Sequence, residues 1–214
     1  LVTSAQNCEM DPNSCTGVSI YFETSIDLGG FEVSNGDTVC VNTFDPVLIP
    51  VDVLTNYVTE INGNGKTIKG YCDIGQGDKS FFKGVQSFGT PNEVIVDVQN
   101  ARFNDIHFDS AYVKATGTEA RAAVLADTVT NISFDNISVT NSIVSSSYVA
   151  AGIVACYGGE SVNFSLMHVD ATLSGRIVGG LFGRAELSNI EADNLVAGVS
   201  ADIEVHAVAE DSVL

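Results

Sequence analysis

The chain has 214 residues, of which 27 are Asp or Glu and 9 are Lys or Arg, so its formal net charge is −18. A field of that sign repels phosphate, which argues against nucleic acid as a partner and against an anionic membrane surface. No apolar run reaches the roughly 18 residues that a membrane-spanning helix needs, and we expect no membrane insertion.

Acidic side chains attract hard cations such as Ca²⁺. The spacing of a calcium loop, D-x-[DN]-x-[DN]-G, does not occur, however. We therefore predict no cofactor and no metal site, with Ca²⁺ as the one ion that the composition favours.

Cysteines mark the first part of the chain. Cys8 and Cys15 lie in a Pro/Asn/Ser/Asp-rich stretch and predict a local disulfide that closes a small N-terminal segment, residues 1–16. Cys40 and Cys72 are 32 residues apart, about one repeat of the pattern described below, and are expected to form a second disulfide. Two such pairs indicate an oxidising, extracytoplasmic compartment.

A similar stretch occurs twice before residue 70. Residues 35–39 read Asn-Gly-Asp-Thr-Val and residues 64–68 read Asn-Gly-Lys-Thr-Ile, 29 residues later. The spacing suggests equivalent positions in successive repeats. The repeats are therefore expected to start near residue 17 and to run to residue 214 as one domain.

The next stretch, Lys79-Ser80-Phe81-Phe82-Lys83, is followed by a predicted loop at residues 84–92. Aromatic rings flanked by lysines suit stacking against sugars, so Lys79, Phe81, Lys83 and Phe88 are candidate binding residues. The same stretch aligns with apolar strands of later repeats, which predicts that at least one of its Phe rings is in the core.

A phrase that begins with Asn occurs four times from residue 100 onward. Its copies start 31, 32 and 26 residues apart, at Asn100, Asn131, Asn163 and Asn189. Self-similarity at this period indicates stacked repeats. We predict that the four Asn side chains form a structural ladder in which each amide bonds the next repeat.

Each copy of the phrase contains two apolar stretches separated by two residues, such as Asn104-Asp105 in the first copy and Met167-His168 in the third. Asn and Asp tolerate left-handed backbone angles, so a copy predicts a strand, a tight bend and a second strand. The side chains expected to point inward form two rows: Phe103, Phe134, Leu166 and Ala192, and Ile106, Ile137, Val169 and Leu195.

A Gly/Ala-rich strand precedes the later copies, at residues 123–126, 152–155 and 180–183, spaced 29 and 28 residues apart. Each repeat thus holds about three short strands, with no helical periodicity. The pattern predicts an all-β fold, a right-handed parallel β-helix. Its coils, about six or seven, would bury their apolar side chains against one another.

Two stretches resemble known families. Residues 59–68, Thr-Glu-Ile-Asn-Gly-Asn-Gly-Lys-Thr-Ile, resemble the opening coil of pectate-lyase-like β-helix proteins. Gly179-Gly180-Leu181-Phe182-Gly183, followed by Ile190, is similar to the GLUG repeat of bacterial secreted and surface proteins. The resemblances cover roughly residues 58–200 and imply a bacterial protein of this architecture, but fold does not imply function.

Catalytic signatures are scarce. Polysaccharide lyases on this fold commonly use Arg or Lys as a base, and Arg121 and Arg176 begin successive coils, yet isolated basic residues are more often surface charges. His107, His168 and His206 fall at different points of the repeat, so we expect no shared histidine row. Cys156 lies in an apolar run and is expected to be a buried thiol. We predict no catalytic residue.

These features favour a non-enzymatic module of a secreted or cell-surface protein, for adhesion to a glycan or protein surface. A polysaccharide lyase or hydrolase, or a fragment of one, is an alternative, and so is a tail-fibre or stalk spacer. The sequence stops soon after a repeat, and an open strand edge invites association. We therefore expect the domain to continue, or to self-associate, beyond residue 214.

Overall fold

The computed structural model of the chain describes residues 18–42, 47–48, 58–83, 85–86, 102–130, 132–160, 164–188 and 200–207. Within these ranges the protein is all-β and contains no helix, and so no helix that could cross a membrane. The strands are numbered in chain order.

Ten strands form the largest sheet: β1 (Val18–Tyr21), β2 (Ile26–Asp27), β6 (Val58–Lys69), β7 (Cys72–Gln76), β10 (Arg102–Asp109), β11 (Tyr112–Thr116), β14 (Ser133–Ser146), β17 (Phe164–Ser165), β18 (His168–Gly175) and β21 (Ser200–Ala207). A second sheet has six: β5 (Val47–Leu48), β8 (Phe82–Lys83), β9 (Val85–Gln86), β13 (Ala126–Thr130), β16 (Val154–Glu160) and β20 (Phe182–Ser188). A third has three: β12 (Arg121–Ala123), β15 (Val149–Ala151) and β19 (Ile177–Gly179). Two more strands, β3 (Phe31–Ser34) and β4 (Asp37–Cys40), form an antiparallel pair.

All pairings between described strands of the three larger sheets are parallel, and the chain visits these sheets in a fixed order. From β10 onward it passes through the largest, the third and the second sheet, and then begins again at β14 and at β17. Parallel neighbours need a long connection between them. Here the connection includes strands of the other two sheets, which is why paired residues such as His107 and Ser138 are 31 residues apart.

The core lies between the sheets and is rich in stacked aromatic rings. Phe103 is in register with Ile61 on one side and Phe134 on the other. The ring centroids of Phe103 and Phe134 are 5.6 Å apart, and those of Phe134 and Phe164 are 5.9 Å apart. Each such side chain contributes about 1.5–3 kcal/mol to folding when it is buried. The row of apolar side chains across successive paired strands therefore stabilises the core.

The third copy of the Asn phrase is shifted by two residues from the predicted alignment. Phe164, and not Leu166, lies opposite Phe134. Ser165 and Asp135, the next pair along these two strands, are likewise 30 residues apart. The inward position predicted for Leu166 is wrong: its side chain is 56% exposed. The shift keeps apolar residues inside because the side-chain period of a strand is two.

Tight bends interrupt the strands where the sequence predicted them in two copies of the phrase. Asp105 and Asn136 have φ of 54° in both cases, in the left-handed region that Asn and Asp tolerate. In the third copy the bend falls on Leu166, with φ of 51°, instead of on Met167-His168. The bend of the third copy moves with the two-residue shift. It therefore falls on a leucine, at a position that suits Asn better.

The two Asn-Gly stretches before residue 70 are not equivalent. Asn35 and Gly36, with φ of 55° and 90°, form the turn between antiparallel β3 and β4, since two positive φ angles suit a two-residue hairpin. Residues 64–65 instead bend β6, which lies beside β1 and β2 rather than β4. The predicted 29-residue equivalence is therefore wrong.

The Gly/Ala-rich strands pair in nearly the predicted alignment. Val154 lies between Ala126 and Phe182, one residue away from the expected partner Leu125. Phe82 also lies opposite Ala126, which confirms that residues 79–83 belong to the same row of strands.

The predicted disulfide between Cys40 and Cys72 is present, with Cα atoms 5.5 Å apart. It joins β4 of the hairpin to β7 of the largest sheet. The predicted Cys8–Cys15 disulfide and the segment 1–16 lie outside the described residues. The same is true of the four residues of the proposed ladder, Asn100, Asn131, Asn163 and Asn189, so these stay predictions.

Candidate functional site

Phe81, one of the candidate sugar-stacking residues, is not on a free surface. Phe81 is only 5% exposed, and its ring packs against Phe82 and Phe108 at centroid distances of 4.9 and 5.3 Å. The chain bends just before β8, so alternation is interrupted and both Phe rings enter the core. The prediction of Phe81 as a binding residue is wrong.

The lysines of that stretch have different outcomes. Lys79 Nζ lies 3.1 Å from Asp73 Oδ1, and both side chains are largely shielded from solvent. Lys79 is thus engaged in an ion pair rather than offered to a ligand. The side chain of Lys83 and the whole of Phe88 lie outside the described residues.

The candidate lyase bases are also engaged. Arg121 donates from Nε to Asp78 Oδ2 at 3.0 Å and from Nη1 to Thr128 Oγ1 at 2.8 Å. The hydrogen bond to Asp78 holds the pKa of Arg121 above its ordinary value, although burial acts in the opposite direction. Arg176 lies over the ring of Tyr148 at 5.9 Å. A base must release its proton, and a carboxylate-paired guanidinium does so less readily.

Cys156 is partly exposed, so the predicted burial of its thiol is wrong, and it has no disulfide partner among the described residues. It lies opposite Thr128 on β13, whose hydroxyl accepts a hydrogen bond from Arg121. The apolar run around it does not bury it, because its neighbours Ala155 and Tyr157 take the inward positions on β16.

A row of histidine and serine crosses the outer side of the largest sheet. His107 on β10 is in register with Ser138 on β14, and Ser138 is in register with His168 on β18. The prediction that the three histidines fall at different points of the repeat is therefore wrong for His107 and His168 but holds for His206. The two-residue shift of the third repeat brings His168 into line with His107. His206 lies opposite Ser174 instead.

Two side chains of this row, Ser138 and His107, form a chain of hydrogen bonds with Asp105. His107 Nδ1 is 2.8 Å from Ser138 Oγ, and His107 Nε2 is 3.2 Å from Asp105 Oδ1. Asn136 Nδ2 donates to the same Asp105 oxygen at 2.6 Å. The side chains of His107 and Asp105 are 25% and 31% exposed, so solvent molecules and ligands can reach them.

The roles of the two imidazole nitrogens follow from their partners. A carboxylate only accepts hydrogen bonds, so His107 Nε2 carries the proton that it donates to Asp105. In the neutral ring Nδ1 is the acceptor, and it takes the hydrogen bond of the Ser138 hydroxyl. The left-handed bend at Asp105 matters here, because it turns this carboxylate toward a side chain two residues later.

A second carboxylate lies beyond this chain on the same strand. Asp109 Oδ1 accepts hydrogen bonds from Asn141 at 2.8 Å and from Thr140 at 3.2 Å. The Asn141 hydrogen bond is the main reason that the pKa of Asp109 lies below its ordinary value. We call the outward side chains of Asp105, His107, Asp109, Asn136, Ser138, Asn141, His168 and Asp170 the polar face.

Glu60 is a buried carboxylate beside the polar face. Its side chain accepts hydrogen bonds at Oε1 from Arg102, Asn104 and Asn62, at 3.1, 3.2 and 3.2 Å. Burial alone would raise the pKa of Glu60, but the hydrogen bonds from Asn104 and Arg102 outweigh it and lower this pKa. Arg102 is thus committed to a structural ion pair.

Sequence reasoning missed the Ser138–His107–Asp105 chain, although the signal was present. Asn100 and Asn131 are 31 residues apart, and adding that interval to His107 gives Ser138. Within the described ranges, no three His, Cys, Asp or Glu side chains are grouped so that they could hold a metal ion.

Comparisons with family models, with curated proteins and with solved structures find no significant match. The resemblance to pectate-lyase-like proteins and to the GLUG repeat therefore stays a prediction.

Proposed function

We propose that this chain is a right-handed parallel β-helix that serves as a recognition module of a secreted or cell-surface protein. The supporting observation is the polar face, where side chains from β10, β14 and β18 stand in register across parallel strands. Strand spacing of about 4.8 Å repeats these groups at regular intervals, which suits a ligand that is itself extended and repetitive.

The chemistry of the polar face favours a glycan over a protein partner. Its side chains are carboxylates, amides, a hydroxyl and imidazoles, which bond sugar hydroxyl groups as donors or acceptors. Protein interfaces instead depend on aromatic and Arg anchors near their centre, and the polar face holds neither. The net charge of −18 further favours a neutral or acylated glycan over an anionic one.

The Cys40–Cys72 disulfide supports an extracytoplasmic location, since such bonds persist in oxidising compartments. The lyase alternative gains no support from Arg121 and Arg176, because both are engaged within the protein. A purely structural stalk would not need polar side chains aligned across strands.

A glycan array tests this proposal, with neutral, acetylated, aminated, carboxylated and sulfated polysaccharides as probes. We expect binding to neutral or acetylated polysaccharides and none to the carboxylated or sulfated ones. The double variant Asn141→Gly and Asp170→Ala removes two exposed hydrogen-bonding groups, and glycine tolerates the φ of 50° at residue 141. Loss of two hydrogen bonds of about 1 kcal/mol each weakens binding roughly 30-fold.

Glu32→Ala is the matched control, because Glu32 is exposed on the β3–β4 hairpin, which pairs with none of the strands of the polar face. It should bind as the wild type does. The proposal fails if no polysaccharide is retained, or if the double variant binds as tightly as this control.

A further inference from the structure

We propose that Ser138, His107 and Asp105 form a site for acyl transfer that hydrolyses esters. An activated nucleophile requires a hydroxyl bonded to a general base, with that base oriented by a third group. Ser138 Oγ and His107 Nδ1 are 2.8 Å apart, and Asp105 Oδ1 is 3.2 Å from His107 Nε2. The three side chains thus have the connectivity that such a nucleophile needs.

Asp105 is the positioning residue. Its bond to Nε2 fixes the tautomer in which Nδ1 is free to accept the serine proton, and it would stabilise the imidazolium that then forms. Asn136 holds the carboxylate from the neighbouring strand at 2.6 Å. The carboxylate is therefore fixed from two sides.

The oxyanion formed during acyl transfer needs a hydrogen-bond donor. The strand that carries Ser138, β14, has a parallel partner on each side, β10 and β18. Its backbone N–H groups therefore serve the ladder, and a side chain has to supply the donor. His168 lies opposite Ser138 on β18, one strand spacing away on the side opposite His107. Its imidazole N–H is the donor that the register provides.

The reaction proceeds in two balanced steps. In the first, Ser138 Oγ bonds to the acyl carbon of the ester, its proton passes to His107 Nδ1, and the bond to the alcohol oxygen breaks, so that the alcohol leaves with that proton. In the second, water attacks the acyl-serine, His107 takes a proton from the water and returns it to Ser138 Oγ, and the carboxylic acid is released.

The surroundings define the class of ester. Asp109, Asp135 and Asp170 lie around the site on the same sheet, which disfavours an anionic acyl group. His107 and Asp105 are partly exposed on this sheet, so a short neutral acyl group such as acetyl, which needs no pocket for a long chain, is the acyl group we propose. An acetylated sugar as the natural ester rests on the proposed function, whereas acyl transfer itself does not.

The test uses the full chain and two probes, a fluorophosphonate that labels activated serines and 4-nitrophenyl acetate. We expect the fluorophosphonate to label Ser138, as located by peptide mass spectrometry, and expect release of 4-nitrophenol above the rate in buffer. Ser138→Ala should abolish both signals. His107→Asn keeps an amide near the hydroxyl but removes the base, and should lower both rates by about 100-fold or more.

Ser145→Ala is the matched control. Ser145 is a partly buried serine on the same strand whose register partners, Lys114 and Ser174, include no histidine. Its substitution should leave labelling and hydrolysis unchanged.

Absence of label at Ser138 in the wild type would overturn the proposal, and so would label that persists in folded His107→Asn. A circular dichroism melting curve for each variant separates lost chemistry from lost structure. If His107→Asn does not fold, Ser138→Ala, which removes only one oxygen atom, still tests the proposal. Glycan binding without ester hydrolysis would reject this inference alone and leave the recognition function intact.

Discussion

Substitution of Phe164 and Leu166 in turn tests the two-residue shift of the third repeat. Phe164 is buried, and its ring lies 5.2 Å from Tyr157 and 5.0 Å from Phe182. Truncation of a buried Phe to Ala typically costs about 3–5 kcal/mol, because transfer free energy is lost and a cavity is left. We expect Phe164→Ala to fall near 3 kcal/mol, since residual exposure lets water fill part of the space.

Leu166→Ala should behave quite differently. Its side chain is 56% exposed, so truncation should change the free energy of unfolding by no more than about 0.5 kcal/mol. Leu166→Gly should even stabilise the protein by some tenths of a kcal/mol, because a left-handed residue with a Cβ costs about 1–2 kcal/mol and glycine avoids that cost.

Urea denaturation followed by circular dichroism measures both effects, with the midpoint and the slope compared for each variant. An unchanged slope shows that stability, and not the compactness of the unfolded chain, has altered. If Leu166→Ala costs more than Phe164→Ala, the register is the one predicted from the Asn spacing, and the reasoning from paired strands is refuted.

Three further expectations concern Glu60, the disulfide and Gly63. The pKa of Glu60 is lowered in the folded protein from 4.5, so its contribution is present at neutral pH and is lost as pH falls through the folded value. Glu60→Gln should cost about 1–3 kcal/mol at pH 7, and urea curves should show this difference shrinking toward pH 3; a constant difference would contradict the argument. Replacing Cys40 and Cys72 by serine should destabilise the protein by about 3–4 kcal/mol, as expected for a closed loop of this length, and reductant should affect the wild type alone. In Gly63→Ala the new Cβ would lie 2.1 Å from the Asp105 carbonyl oxygen, so we expect a loss above about 2 kcal/mol. Gly36→Ala has no atom within 4 Å of its Cβ and should cost only about 1–2 kcal/mol for its left-handed φ. Equal melting temperatures of these two variants would exclude the backbone clash.

The all-β fold with parallel sheets could be predicted from the sequence because its signals are periodic. Short apolar stretches recur at a near-constant interval, and Asp105 and Asn136 mark the bends between them. The register of the third repeat could not be predicted. A shift of two residues preserves the alternation of inward and outward positions, so the hydrophobic pattern alone does not decide whether Phe164 or Leu166 lies opposite Phe134.

Local dipeptides were less informative than their recurrence suggested. Asn-Gly suits a hairpin turn and a bent strand equally well, and only the strand that follows decides between them. Phe81 was misjudged as a ligand contact because alternation fails where the chain turns a corner. The Ser138–His107–Asp105 chain depends on contacts across strands, so it required the register as well as the residue types.

The Cys40–Cys72 bond also determines how the protein would carry mechanical tension. A force applied before Cys40 and after Cys72 would pass through the sulfur atoms and bypass the chain between them, which includes β6. The 32-residue separation corresponds to roughly 100 Å of extended chain. That length would stay locked under load and would be released as a separate step after reduction, so the redox state of the surroundings would set how far the molecule stretches.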